Sequence, residues 1–271
     1  MAYEWPPLTP GDPDEVARRV AAVLEDAWQR LADAQEAVLS SIVDRWRLPY
    51  VLETLEEFKG SIADFAARVD EEARTFVQRQ LPHLYEQGAR AAAVDLGRPF
   101  GWTAIHTEAL QSLASDSYGD FLRRSQEAER MASQWYRAAR AAARREVPQL
   151  AAGNRTAGQA ARELAKRLEG QGLNHVVYRN GTRMPVRAWA EAATLAKSTV
   201  AYNAGTLNRA REAGVGYVEV FDSVGCGWTR HNDPDGAAGS VRSVEEAASW
   251  PISHPRCRRA FGPRPDVTGL P

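Results

Sequence analysis

From about Val51 to Leu96 the chain offers little that would stop a helix, and its apolar side chains recur at helical spacing. Leu52, Leu55, Phe58, Ile62, Phe65, Val69, Phe76 and Val77 mark one face. Gly60 and Pro82 are the expected bends. At 1.5 Å per residue a straight helix of that length spans about 70 Å. No small core covers such a rod. It needs neighbours along its length, either other helices of the same chain or other subunits.

The flanking tracts have the same character. After an extended, proline-rich lead-in over residues 1–12, Asp12-Pro13 reads as an N-cap followed by proline at the first helical position. Asp14 and Glu15 occupy the first turn, and Val16, Val20, Val23, Trp28, Leu31, Val38, Ile42 and Trp46 repeat every three or four residues up to Pro49. Gly97–Trp102 is a break. A third helical tract then passes through Ile105, Leu110, Leu113, Phe121, Leu122, Met131, Trp135 and Tyr136 to about Glu146, closed by Pro148 and Gly153. Residues 1–150 are therefore expected to form an all-α bundle or arm. Its aromatic stripes read as core and His83 and His106 as structural or solvent-facing. The arginine-rich stretch 137–145 reads as a solvated face.

After Gly153 the pattern shortens. Thr156 is placed to cap a helix reaching Leu168. Two β-prone runs flank Asn180-Gly181, the dipeptide favoured in a two-residue hairpin turn. A helix from Pro185 or Val186 to Ala213 ends at Gly214, and a strand follows whose alternation sets Tyr217, Glu219 and Phe221 on one side. Residues 151–271 thus read as a small α+β domain, a three-stranded sheet covered by two helices. The whole chain is expected to be α+β.

Residues 221–265 close onto that last strand and contain both cysteines and two of the five histidines. The order is Cys226-x4-His231 and then His254-x2-Cys257, with 22 residues between the pairs. Two close pairs of sulfur and imidazole ligands separated by a loop suit a structural zinc site. The segment is rich in Gly, Pro and Asp, so metal binding would supply folding free energy that apolar burial does not. Cys226, His231, His254 and Cys257 are the candidate ligands. Two other fates remain open: small buried hydrophobes, or a disulfide.

The stretch GCGWTRHNDPDGAAGSV followed by PISHPRCRRAFGP resembles the C-terminal signature of Mu F-like minor head proteins of tailed bacteriophages, of the type found in phages of actinobacteria. The upstream piece from Tyr178 to Val220 is similar to the same group, so the resemblance covers about residues 154–265. It departs from relatives carrying Cys-x2-Cys and Cys-Arg-Cys, having Thr229 and Arg259 where further cysteines would stand. If a metal is kept, His231 has to replace a missing ligand. The resemblance implies a virion component made in the host cytoplasm. It would sit at the portal vertex or inner capsid wall, acting in head assembly and in handling packaged DNA. The implied partners are portal or major capsid protein, copies of itself and double-stranded DNA.

Composition agrees with a folded, non-membrane chain: 44 % of residues are hydrophobic, 25 % are charged, and no apolar run approaches a membrane span. Charge is uneven. Residues 1–150 hold 18 basic and 24 acidic side chains, residues 151–271 hold 16 and 11. The basic part is the better candidate for meeting DNA, with Arg256, Arg258, Arg259 and Arg264 as possible contacts to DNA or a partner. None of the common catalytic or nucleotide-binding motifs is present, and no enzyme is expected. The opposing possibility is a zinc-dependent nuclease or toxin module built on His231-Asn232-Asp233.

Overall fold

A computed structural model of the chain describes residues 13–44, 48–153, 156–168, 173, 175–177 and 181–268. Four long helices come first: α1 (Pro13–Asp44), α2 (Leu48–Thr75), α3 (Leu81–Asp95) and α4 (Ala104–Ala151). The Asp12 cap falls outside the described residues. Pro49 does not end α1; it stands in the first turn of α2, where a missing N–H costs nothing. Gly60 leaves α2 unbroken.

The bend expected at Pro82 is absorbed just before it. Phe76–Gln80 form a π-helical turn between α2 and α3, and the Leu81 N–H bonds the Phe76 carbonyl. The wider turn relieves the clash that proline makes with the carbonyl four residues earlier. Helix α4 is longer than the sequence suggests: 48 residues, about 72 Å, running through Pro148 to Ala151. The helix stops short of Gly153, whose φ of 69° is one that glycine adopts without strain.

The remaining elements are α5 (Ala157–Leu168), β1 (His175–Val177), β2 (Arg183–Pro185), α6 (Val186–Glu212), β3 (Tyr217–Phe221), β4 (Val241–Ser243), α7 (Val244–Ser249) and β5 (Ala260–Pro263). Long helices ahead of a small sheet-bearing region make the class α+β. Helix α5 starts with a reciprocal capping box. The Gln159 N–H donates to Thr156 Oγ1 at 3.3 Å, and the Thr156 N–H donates to Gln159 Oε1 at 2.9 Å.

Two compact units share the chain, one comprising Met1–Val20, Arg74–Gly119 and Ala190–Pro271, the other Ala21–Ala73 and Asp120–Trp189. Neither coincides with 1–150 or 151–271. In the second unit, Trp28 packs edge-on to Phe65 at 4.5 Å and meets Trp189 at 5.9 Å, while Phe58 packs on Trp135 at 4.8 Å. The β1–β2 hairpin belongs here as a sheet of its own. Its register sets Val177 opposite Arg183, and the turn expected at 180–181 falls partly outside the described residues. Gly181 has φ 80°, and Asn180 lies outside the described residues.

In the first unit, α3 and α6 cross with backbones in contact. A Cβ on Gly205 would stand 2.0 Å from the Tyr85 carbonyl oxygen, and one on Gly88 would stand 1.9 Å from that of Tyr202. This crossing joins an early helix to a late one, which is why the units interleave. Behind it His106 is buried. Asn208 Nδ2 donates to the Tyr85 hydroxyl (2.9 Å), which lies 2.9 Å from His106 Nδ1. His106 Nε2 faces Glu212 Oε2 at 3.4 Å.

The three-stranded sheet has the order β4-β3-β5, all antiparallel. The hairpin does not contribute to it; the partners of β3 come from the Cys/His segment itself. Val218 and Val220 point inward and pack with Leu207 and Ala210 of α6, Val244 and Ala247 of α7, Trp228 and Phe261. That core sets the floor of the site described next.

Candidate metal centre

Strand β3 ends at Phe221, and the chain then turns through Asp222 and Ser223 to Cys226, whose N–H bonds the Ser223 carbonyl at 2.9 Å. The loop beyond is fastened to itself. Trp228 N–H donates to the Asp235 carbonyl at 2.7 Å, and Ala237 N–H donates to that of Cys226 at 3.1 Å. Gly227 admits no side chain, because a Cβ there would meet Asp233 Cβ at 2.3 Å. The Asp233 carboxylate accepts from Thr229 Oγ1 (2.6 Å), Thr229 N–H (3.1 Å) and Asp235 N–H (3.0 Å). These bonds, the hydroxyl first, hold its carboxyl at about 2. Asp233 thus fastens the loop to itself.

The second half arrives from α7. Cys257 N–H bonds the His254 carbonyl at 2.9 Å, and α6 anchors the irregular segment leading to β5. Thr199 Oγ1 donates to the Cys257 carbonyl at 3.3 Å, and Asn203 Nδ2 donates to the carbonyls of Pro251 (2.8 Å) and Arg259 (3.0 Å). Cys226 and Cys257 are buried free thiols.

These two halves bring Cys226, His254 and Cys257 together, with their ligand atoms all within 4.8 Å of one another. Cys226 Sγ lies 3.5 Å from His254 Nε2. Burial pushes the Cys226 thiol up, and the neighbouring Asp222 carboxylate pushes it the same way. Burial lowers His254, helped by the nearby His231. Two sulfurs and a neutral imidazole are the donor set zinc prefers, and a divalent cation would draw the thiol protons off. His231 stands apart from this group. It is exposed, and its ring meets that of His254 edge-on at 5.1 Å between centroids.

Sequence reasoning missed Asp222 and misassigned Arg259. Arg259 cannot reach DNA or a partner, because its side chain is fully buried in an ion pair with the equally buried Asp222 carboxylate, Nε to Oδ2 3.0 Å. Its other N–H groups reach the carbonyls of Trp228 (2.9 Å), Trp250 (2.8 Å) and Gly227 (2.8 Å). The guanidinium also lies 4.6 Å from the Trp228 ring centre, with Arg242 at 4.7 Å from the same ring. One arginine therefore ties together the same two segments that a metal would join. The only signal in the sequence was an acid next to a strand end, four residues before the first cysteine. Arg256 lies 3.9 Å from Glu191, Arg258 pairs with Asp14, and Arg264 pairs with Asp266 (2.7 Å) and Glu219 (3.2 Å).

A family model described as phage minor capsid protein 2 matches residues 44–233. The chain belongs to that family. No curated protein and no solved structure matches it. The match begins far upstream of the stretch whose motifs resemble minor head proteins, and takes in α2, α3, α4 and α6. It ends at Asp233, so it includes Cys226 and His231 but neither His254 nor Cys257. Three of the four long helices, α2, α3 and α4, thus fall within the part matched to the family, and α1 lies ahead of it. The second half of the Cys/His cluster lies beyond it. Among the described residues no helix is long and apolar enough to cross a membrane.

Proposed function

We propose that this capsid-family protein is a structural component of a tailed-phage head, placed at the portal vertex or on the inner capsid wall, where it acts in head assembly and in handling packaged DNA. The observation that supports this is the family match over residues 44–233. The helices agree with the role. A rod of about 72 Å such as α4 exposes long polar flanks suited to side-by-side packing of several copies around a ring. Portal or major capsid protein are the partners this reading requires. Arg256, Arg258 and Arg264 are candidate cations for DNA phosphate, giving up surface carboxylate pairs worth little in water, two of them at Arg264.

The Cys226, His254 and Cys257 group is read as a structural zinc clamp that joins the two halves of the loop region to β3. Cross-linking of intact virions followed by mass spectrometry tests the placement. Links to portal or major capsid protein are expected; links confined to tail proteins would overturn it.

A further inference from the structure

We infer that Asp222, not His231, is the fourth ligand of the metal centre, held in place by Arg259 as a positioning residue; the inference rests on the zinc reading above. Around tetrahedral zinc, bond lengths of about 2.3 Å to sulfur and about 2.0 Å to nitrogen or oxygen place neighbouring ligand atoms about 3.5 Å apart. Cys226 Sγ and His254 Nε2 are separated by 3.5 Å. The Asp222 oxygens lie 3.4 and 3.6 Å from Cys257 Sγ. Two edges of such a tetrahedron are therefore already set, one on each cysteine, and the Asp222 carboxylate, which lies outside the group whose atoms are all within 4.8 Å of one another, has to draw in when the metal binds.

The carboxylate is also prepared for the role. Oδ1 accepts the Ser223 N–H at 2.8 Å and Oδ2 accepts Arg259 Nε at 3.0 Å. Each oxygen has one fixed donor and retains a further lone pair. Outer donors of this kind orient a ligating carboxylate. Charge closes as well: a divalent cation, two thiolates, one carboxylate and one guanidinium sum to zero in a buried site. That is the condition under which buried charges are tolerated. His231 offers the opposite properties. It is solvent-exposed, and its ring packs edge-on against His254 at 5.1 Å between centroids.

The test is cobalt(II) and zinc titration of the reduced full-length protein, with zinc affinity read by chelator competition. Wild type is expected to give the visible bands of tetrahedral cobalt with charge transfer from two thiolates. Asp222→Asn is expected to weaken zinc by at least about tenfold, and His231→Gln to leave it within about twofold. Because Asp222→Asn also disturbs Arg259, Asp222→Cys supplies an independent readout. A third thiolate should raise the charge-transfer intensity by about half. Intensity unchanged in Asp222→Cys but raised in His231→Cys would overturn the assignment. Wild type that takes up neither metal would instead sink the zinc reading itself, and this inference with it.

Discussion

Replacing Arg259 with alanine should be the most damaging single change in the loop region. The substitution removes one charge-assisted bond to Asp222 and three to the carbonyls of Gly227, Trp228 and Trp250. Removing one member of a buried ion pair costs about 3–5 kcal/mol, because the remaining charge is left uncompensated. Each orphaned carbonyl adds up to about 1–3 kcal/mol where water cannot replace the donor. These terms are not additive, and water entering the vacated space limits them, so a loss of at least about 4 kcal/mol is expected. That approaches the whole stability of an ordinary domain. Hydrogen exchange on the full chain should show β3 and β5 losing protection together. Arg256→Ala and Arg258→Ala, whose side chains are largely exposed, should each change stability by about 1 kcal/mol or less. An Arg259→Ala protein as stable as the Arg256→Ala protein would refute the clamp.

Other outcomes follow from the same structure. Gly205→Ala should destabilise the first unit well beyond an exposed Gly→Ala control, since its Cβ would stand 2.0 Å from the Tyr85 carbonyl and neither backbone can yield cheaply; equal melting of the two would contradict the close crossing. Burial lowers His106 below its ordinary value of 6.5, so the unfolded chain binds its proton first. Stability should accordingly be full above pH 6.5 and fall as pH drops from there towards the folded value. The slope should be at most about 1.4 kcal/mol per pH unit, and His106→Gln should remove that component. Chelation should release about one zinc per chain and loosen residues 222–231 and 254–257 in hydrogen exchange, leaving α2 unaffected; unchanged protection would mean that the cysteines only pack.

The helices were legible because their apolar spacing is long and regular, and each is stabilised along its own length. Their ends were less so. Pro49 and Pro148 look like stops in the sequence, yet one begins a helix and the other is carried within one, since the effect of proline depends on where in the turn it falls. The sheet was half legible. The alternation of Tyr217, Glu219 and Phe221 identified β3, but partner choice is a long-range matter, and its neighbours β4 and β5 come from a segment with no strand pattern of its own. Three of the four expected ligands converge because Cys and His spacing reports on chemistry directly. Asp222 and Arg259 were illegible as a pair, because nothing local says that an acid and an arginine 37 residues apart will be buried together. The interleaving of units rests on Gly88 and Gly205, two glycines whose meaning appears only when their helices cross.

The most direct test of the virion assignment is quantitative mass spectrometry of gradient-purified phage particles alongside the infected-cell lysate. The account predicts that this chain co-purifies with particles at a fixed, low ratio to the major capsid protein and persists after salt washing. Recovery only in the soluble lysate, with none in particles, would contradict it.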